Sequence, residues 1–273
     1  MAMVFLITAW IYACVGFGGG STYNALLVLT DVNYQALPII ALICNLIVVS
    51  GGVWHFAKNS HLQIRPTLPW IAVSIPAAWL GGYLAVPPIL FVGVLAVALL
   101  VCGTHMLWSA KRHLPIHWRS HHRSRSASIE HRHHALSTTT THSSPSKWTH
   151  PLIGGALGLA AGITGIGGGI FLAPILHSMR WAGTKTIAGT CSLFIWVNSM
   201  AGLIGHCMKL NSPSATLHML APFWLLFPMV LIGGQIGSRL GAGPIQSHYV
   251  KLLTALLILY VALRLIGRFI TLM

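Results

Sequence analysis

Long apolar segments recur along this chain, and short polar stretches separate them. Six are about 20 residues long, enough at about 1.5 Å per residue for a helix to cross a hydrocarbon core of roughly 30 Å. These six lie at residues 36–57, 68–86, 88–109, 186–208, 217–238 and 249–270. Two more, at 2–30 and 151–178, contain a glycine-rich run near the middle. The pattern predicts an all-α integral membrane protein, with 2–30 in the mature fold because it lacks the basic region and cleavage site of a signal peptide.

The two glycine-rich runs have nearly the same sequence. Residues 16–24 read GFGGGSTYN and residues 165–173 read GIGGGIFLA. Glycine costs roughly 1 kcal/mol relative to alanine inside a helix, so these dense runs predict an interruption of each helix. In hydrocarbon, non-helical backbone survives only where protein or a wet cavity surrounds it. The runs therefore indicate a binding site or close helix packing, and GGALGLAAG at 154–162 is typical of packing.

The chain repeats itself around these runs. Three anchors recur in the same order: Gly16–Gly20 matches Gly165–Gly169 after 149 residues, Gly51 and His55 match Gly202 and His206 after 151, and PAAWLGG at 76–82 matches PMVLIGG at 228–234 after 152. Such nearly constant spacing predicts an internal duplication. Residues 1–110 and 151–273 would form two repeats of about four hydrophobic segments each, joined by a linker at 111–150.

The relative orientation of the repeats depends on the glycine-bearing segments. If each segment crosses the membrane once, a repeat has an even number of crossings and the two repeats are parallel. If each is a re-entrant hairpin of two half-helices, the number is odd and the second repeat is inverted. Each limb has only about 13 residues, or roughly 20 Å, which suits half a membrane. This favours inverted repeats, with the two glycine runs facing one another near the bilayer midplane.

Composition agrees with a membrane protein, and charge indicates its orientation. Hydrophobic residues make up 55% of the chain and charged residues 7%, and the mean hydropathy is +0.75. These values exclude an ordinary soluble domain. The formal net charge of +14 would suggest nucleic acid in a soluble protein. However, 7 of the 16 Lys and Arg lie within 111–149, so the positive-inside rule predicts a cytoplasmic linker and no nucleic-acid partner.

The linker at 111–150 is rich in Ser, Thr, Arg and His and has no apolar periodicity, which predicts a mobile segment. Its nine histidines from 113 to 150 are irregularly spaced, so we expect adventitious metal affinity rather than a defined metal site. A metal-linked transporter or sensor is an alternative interpretation. The five cysteines of the chain include no CxxC pair, which predicts buried, reduced thiols for most of them.

Polar residues cluster next to the glycine runs. Amide N–H groups at the start of a half-helix bind anions without a cationic side chain, and we expect Gly167 and Gly168 to present theirs in this way. The candidate substrate-binding residues are Gly18, Gly19, Gly20, Ser21, Asn24, Asn45, Thr164, Gly167, Gly168, Gly169, Thr190, Cys191, Ser192 and Asn198. Taken singly, each polar side chain also fits a bond to a neighbouring helix, and Cys191 fits a core position.

His55 and His206 occupy equivalent positions near predicted helix ends. They fit interfacial caps, and they are also the candidates for proton coupling, since the chain has only two carboxylates, Asp31 and Glu130. The sequence contains no GxSxG, no GKS or GKT phosphate loop, no HExxH and no paired carboxylates. We therefore expect a protein that is not an enzyme and has no cofactor.

A set of motifs in this chain occurs together in one known family. The set comprises both glycine runs, Pro174 in GIGGGIFLAPIL, AGTCSLFIWVNSMAGLIGH at 188–206, and the two P-x4-GG segments. It resembles the sulfite exporter TauE/SafE family of membrane permeases over nearly the whole chain outside the linker. The second half is closer to the family pattern, because Asn24 and Ala25 stand where a proline would follow the first glycine run.

The resemblance implies a multi-pass permease of the bacterial cytoplasmic (inner) membrane. Its partners would be the lipid bilayer and a small sulfur-containing or carboxylate anion, such as sulfite or a sulfonate. The membrane potential drives a monovalent anion outward with about 2.3 kcal/mol per 100 mV, so export needs no ATP site. A proton gradient is the other energy source. An alternative of another class is a non-transporting membrane subunit that scaffolds an enzyme and uses the glycines for packing.

Overall fold

The computed structural model describes residues 1–28, 36–84, 100, 104, 107–108, 149–210 and 220–272. Within these residues the fold is all-helical. In chain order the helices are α1 (Ala2–Cys14), α2 (Gly20–Val28), α3 (Ala36–Lys58), α4 (Ile64–Tyr83), α5 (Thr149–Thr164), α6 (Gly169–Ser178), α7 (Thr184–Leu210), α8 (Leu226–Ala242) and α9 (Ser247–Leu272), with a 3-10 turn at Ala221–Phe223 before α8.

Both glycine runs interrupt a helix, as predicted. Between α1 and α2, Gly16 and Gly19 have φ of 81° and 85°. Between α5 and α6, positive φ occurs at Gly165, Gly167 and Gly168. A left-handed conformation costs a residue with a Cβ about 1–2 kcal/mol. The interruption therefore requires glycine at these positions.

The central pair of helices is α3 and α7. The most apolar 18-residue windows within Ala36–Lys58 and Thr184–Lys209 have mean hydropathies of 2.3 and 1.6, and both helices are long and apolar enough to span a membrane. The indole N–H of Trp196 donates to the hydroxyl of Ser50 at 3.1 Å, and a methyl on Gly189 would lie 3.1 Å from Cβ of Phe56. Residue numbers thus rise along one helix as they fall along the other, so α3 and α7 are antiparallel.

Two further pairs, α1 with α8 and α4 with α5, pack backbone to backbone through glycines four residues apart. A methyl on any of these glycines would overlap a backbone carbonyl of the facing helix. The facing pairs are Leu6 with Gly233, Trp10 with Gly237 and Cys14 with Gly241, and Trp70 with Gly154, Ser74 with Gly158 and Ala78 with Gly162. In each pair the residue numbers of the two helices increase in the same direction, so both pairs are parallel. The packing role predicted for GGALGLAAG at 154–162 is confirmed, since small residues let helix backbones approach closely.

The predicted segments agree with the helices to within a few residues, with one exception. The segment predicted at 217–238 begins instead with the 3-10 turn, and α8 starts only at Leu226 and continues to Ala242. Pro222 lies at the start of the 3-10 turn and Pro228 in the first turn of α8, both positions that suit proline. The segment at 88–109 and the linker lie almost wholly outside the described residues, although α5 already begins at Thr149.

The described cysteines carry free thiols. Cys14, Cys44 and Cys191 are buried, in agreement with the prediction, whereas Cys207 is exposed. Cys191 belongs to the main apolar cluster, which also contains Trp70 and Phe194. The described residues contain no group of His, Cys, Asp or Glu side chains that could hold a metal ion. The histidine-rich linker lies outside them, apart from His150.

Candidate functional site

The two helix breaks lie against each other. A methyl on Gly20 would come within 3.0 Å of the carbonyl oxygen of Gly165, and the side-chain amide of Asn24 donates to the carbonyl oxygen of Thr164 at 2.9 Å. The predicted contact between the two glycine runs is therefore present. The hydroxyl of Thr164 donates to Ala160 one turn back at 2.7 Å. Thr164 thus contributes its backbone carbonyl, rather than a free hydroxyl, to this contact.

Asn45 of α3 joins the two breaks. Its side chain is fully buried, and its Nδ2 donates to the carbonyl oxygen of Ile166 in the second break at 3.1 Å. On the other side its amide packs directly against Gly18 and Gly20 of the first break, where a methyl would overlap it. Only glycine leaves room for this amide, so the first run is needed for contact with Asn45 as well as for its backbone conformation.

Helix α7 supplies most of the other polar side chains. The hydroxyl of Ser192 donates to the carbonyl oxygen of Gly16 at 3.0 Å and so attaches α7 to the first break. Nδ2 of Asn198 donates to the carbonyl oxygen of Phe194 in its own helix at 2.8 Å. Ser192 therefore has a structural partner, while the Asn198 amide keeps its Oδ1 free among the described residues.

Buried polar atoms without a partner concentrate around the two breaks. Seven of the nine such side chains in the described part of the chain belong to α2, α3 or α7. They are Ser21, Tyr23, Asn24, Asn45, Thr190, Asn198 and Ser199. An unpaired buried polar group costs about 1–3 kcal/mol, and native proteins leave few of them. This concentration indicates that a polar ligand or water occupies the region.

The second break leaves backbone amides free at the start of α6. Gly169 N–H donates to the carbonyl oxygen of Gly167 at 3.1 Å, and Leu172 N–H donates to that of Gly168 at 3.2 Å. The N–H groups of Gly167 and Gly168 have no acceptor among the residues that the structure describes. Adjacent free amides at a helix N-terminus form a concave, partly positive surface that suits an anion.

The two histidines contact neighbouring helices. Nε2 of His55 lies 3.1 Å from Oε1 of Gln235 in α8, and Nε2 of His206 lies 3.0 Å from the carbonyl oxygen of Gly162 in α5. A carbonyl oxygen only accepts, so Nε2 of His206 carries a proton in this contact. Each imidazole ring therefore bonds to a neighbouring helix and does not cap the end of its own helix.

Sequence reasoning did not select two polar residues, Ser199 and Arg264. Ser199 is fully buried and its Oγ has no partner in the described residues. Arg264 of α9 lies over the ring of Tyr260 in the same helix, with Cζ 5.8 Å from the ring centroid. It is one of three Lys or Arg residues in the 26-residue helix α9, and it could have been noticed from the sequence alone because charges are costly in a membrane.

A groove of about 500 Å³ lies elsewhere, between α3 and α8. Its walls include Ile47, Trp54 and Leu231, and Gln235 lies at one end. At about 100° per residue, Ile47 and Trp54 are on the opposite side of α3 from Asn45. Trp54 is 68% exposed and Leu231 45%. The groove is thus an outer feature of the helix bundle and is separate from the contact between the breaks.

Comparison with known proteins gives a consistent result. The model of the family described as sulfite exporter TauE/SafE matches residues 1–265. A relative in Sinorhizobium fredii (strain NBRC 101917 / NGR234), named as the probable membrane transporter protein y4hK, is 29% identical over 266 residues, which is 97% of this chain and 97% of that protein. No solved structure matches. The family match spans both glycine breaks and nearly all of the chain, and the protein is therefore a membrane transporter that belongs to the sulfite exporter TauE/SafE family.

Proposed function

We propose that this protein is a permease that exports small monovalent anions, either sulfur oxyanions and sulfonates or carboxylates, across the bacterial cytoplasmic membrane. The observation that carries the proposal is the pair of helix breaks in contact, surrounded by buried polar atoms without partners. Discontinuous helices that meet at a repeat interface are the usual location of substrate sites in secondary transporters. The family name points to sulfite as the first anion to test.

The chemistry of the second break supports an anionic substrate. The free N–H groups of Gly167 and Gly168 lie at the start of the ten-residue helix α6. A helix N-terminus carries a partial positive charge of about half an elementary charge, which attracts an anion and does not require a charged side chain. Thr190 and Ser199 would add hydroxyl donors on the α7 side.

The helix directions support an inverted repeat. By the sequence repeat, α3 corresponds to α7, and these two helices are antiparallel. The interface of α1 with α8 corresponds to that of α5 with α4, with both pairs parallel. Two repeats related by an axis along the membrane normal would place α3 and α7 in the same direction. An axis in the membrane plane reverses them, and this is the arrangement that permits alternating access by exchange of the two repeats.

The positions of basic residues support the orientation. Lys58 and Arg65 flank the connection between α3 and α4. Nζ of Lys185, at the start of α7, donates to the carbonyl oxygen of Gly243 just after α8 at 2.7 Å. The antiparallel pairing of α3 and α7 puts these three cations at one end of the bundle. That end would be cytoplasmic, like the basic linker, by the positive-inside rule.

The energy source follows from the charge of the substrate. A monovalent anion leaving the cell gains about 2.3 kcal/mol per 100 mV of membrane potential. Coupling to protons would instead need a titrating group, and His55 and His206, which contact α8 and α5, are the candidates. A potential-driven uniport and a proton-coupled symport or antiport differ in their response to an imposed pH gradient at zero potential.

Purified protein in liposomes tests the proposal. Counterflow of labelled sulfite, thiosulfate, sulfoacetate and small carboxylates would be measured against empty vesicles, with the potential set by potassium and valinomycin. We expect saturable flux of at least one anion that rises with an inside-negative potential in the outward direction. A Gly183→Ala variant should transport like the wild type, because a Cβ there meets nothing within 4 Å. Flux no greater than in empty vesicles would favour the scaffold interpretation.

A further inference from the structure

We infer that the site selects anions that also carry a hydrogen-bond donor, such as a hydroxyl group, over anions of the same size that have only acceptors. This inference rests on the proposed anion site between the two breaks. It comes from the polar groups of Asn45 and Ser199, which border Gly167.

The amide of Asn45 has a fixed orientation. Its nitrogen faces the carbonyl oxygen of Ile166 at 3.1 Å. Rotation of the amide by 180° would put two oxygens against each other, so only the nitrogen can occupy that position. The remaining atom, Oδ1, is buried, adjoins Gly18 and Gly20 of the first break, and has no donor in the described residues. It is an oxygen that can only accept. The Asn24 amide repeats this arrangement, with Nδ2 on the carbonyl oxygen of Thr164 and Oδ1 unpaired.

Ser199 of α7 lies near the other side of the Asn45 amide, beside its nitrogen. A methyl on Gly167 would lie 2.9 Å from Oγ of Ser199 and 3.1 Å from Nδ2 of Asn45, so both groups adjoin that point. Hydroxyls in these helices usually donate to a carbonyl one turn back, as Thr164 and Thr254 do at 2.7 Å. Ser199 makes no such bond among the described residues. Its hydroxyl is free to donate or to accept.

The free groups therefore include both donors and fixed acceptors. The N–H groups of Gly167 and Gly168 suit the oxygens of an anion, whereas Oδ1 of Asn45 requires a donor. A ligand that has only acceptors cannot donate to Oδ1 of Asn45, so this oxygen stays unpaired. A site whose buried polar groups require a substrate hydroxyl discriminates strongly against an analogue that lacks it. A hydrogen-bearing oxyanion or a hydroxylated sulfonate satisfies both kinds of group.

Isethionate and ethanesulfonate form the matched pair for the test, since they differ by one hydroxyl. Both are permanently charged above acidic pH, so neither leaks through the bilayer as a neutral acid. Their kcat/KM values would be measured in vesicles that contain purified protein, with sulfite as the reference anion. We expect a preference for isethionate of at least about tenfold, which corresponds to about 1.4 kcal/mol.

Two variants separate selectivity from a general loss of function. Asn45→Leu removes the acceptor, so we expect the preference for isethionate to fall to about twofold or less, whatever the remaining rate. Ser199→Ala leaves Asn45 in place and should lower the rates for both sulfonates by a similar factor. A ratio of rates within one variant does not depend on how much folded protein the vesicles hold.

The outcomes distinguish this inference from the proposed function. Equal transport of the two sulfonates, or sulfite flux that neither sulfonate competes with, would overturn the selectivity and leave the anion site standing. An unchanged preference in Asn45→Leu would also overturn it, because another group would then be the acceptor. No flux of any anion, sulfite included, would refute the proposed function and this inference with it.

Discussion

Substitution of Gly167 and Gly168 by alanine separates a binding role of the second break from a packing role. The two glycines are adjacent, buried and left-handed, with φ of 85° and 77°. The backbone cost of alanine is therefore nearly the same at both, about 1–2 kcal/mol. The direction of the new methyl differs. At Gly167 it would enter the space beside Ser199 and Asn45, and at Gly168 it would contact Ala161 and Phe194 in the apolar packing.

The distances give the expected size of each effect. The methyl at Gly167 would lie 2.7 Å from Cγ2 of Ile195 and 2.9 Å from Oγ of Ser199, and the one at Gly168 would lie 3.0 Å from both Cβ of Ala161 and Cε1 of Phe194. Such overlaps cost about 1–3 kcal/mol. We expect each variant to lose about 2–5 kcal/mol of stability in total. Only Gly167→Ala also displaces the ligand, which removes about 2–4 kcal/mol of binding, or roughly 30- to 700-fold in kcat/KM.

Thermal unfolding of the purified variants and flux in vesicles would be measured together, well below both melting temperatures. Gly168→Ala should melt earlier than wild type yet keep most of its flux and its stabilisation by substrate. Gly167→Ala should melt at a temperature similar to that of Gly168→Ala, and it should lose both its flux and its stabilisation by substrate. If the two variants lose flux equally, backbone strain accounts for the effect, and the glycines serve packing. If Gly167→Ala transports normally, the anion does not bind beside Asn45 and Ser199.

Three further substitutions test other parts of the site. Gly158→Ala would place a methyl on the backbone of Ser74, so we expect poor folding and no change in the KM of the fraction that folds. Thr190→Val removes one hydroxyl donor and should weaken apparent affinity roughly threefold to tenfold by competition binding, the factor for one hydrogen bond of about 0.5–1.5 kcal/mol; unchanged affinity would exclude Thr190 from the site. Arg264→Gln should lower flux by about tenfold if its charge attracts the anion, whereas the exposed Arg239→Gln should not; equal effects would exclude Arg264.

The interruptions of both helices could be predicted because glycine has a local effect. Four glycines among the residues from Gly16 to Gly20 oppose a helix whatever surrounds them. The polarity of a residue did not predict whether its side chain would be free to bind a ligand. Ser192 and Thr190 are two residues apart on α7, yet Ser192 donates to the first break and Thr190 has no partner among the described residues. Which hydroxyl is free depends on where the neighbouring backbone lies, and that is set by packing between distant segments.

Ser199 was missed for a related physical reason. A single serine in an apolar helix usually donates to the carbonyl one turn back, so its presence predicts little. The repeat gives no help either, because the position equivalent to Ser199 in the first half is Val48, and the one equivalent to Asn45 is Trp196. The corresponding segments of the two halves carry different side chains at these positions. A site between them would therefore be asymmetric.

The inverted repeat can be tested with the equivalent positions Lys58 and Lys209, which are 151 residues apart, as are His55 and His206. Both lysines are exposed, at the ends of α3 and α7. Parallel repeats would put them on the same side of the membrane, and inverted repeats on opposite sides. Each would be replaced by cysteine in a background without native cysteines, with Ser124→Cys in the linker as the cytoplasmic marker.

An impermeant thiol reagent would then be applied to intact cells and to inside-out vesicles. Because α3 and α7 are antiparallel, Lys209→Cys should react in intact cells, while Lys58→Cys and Ser124→Cys should react only in the vesicles. Labelling of both lysine positions from one side would require parallel repeats and would contradict the helix directions. If Ser124→Cys and Lys58→Cys reacted in intact cells and Lys209→Cys reacted only in the vesicles, the repeat would still be inverted. The whole protein would then have the opposite orientation in the membrane. The basic end of the bundle would then face outward, against the positive-inside rule, and export driven by the membrane potential would need the opposite entrance to the site.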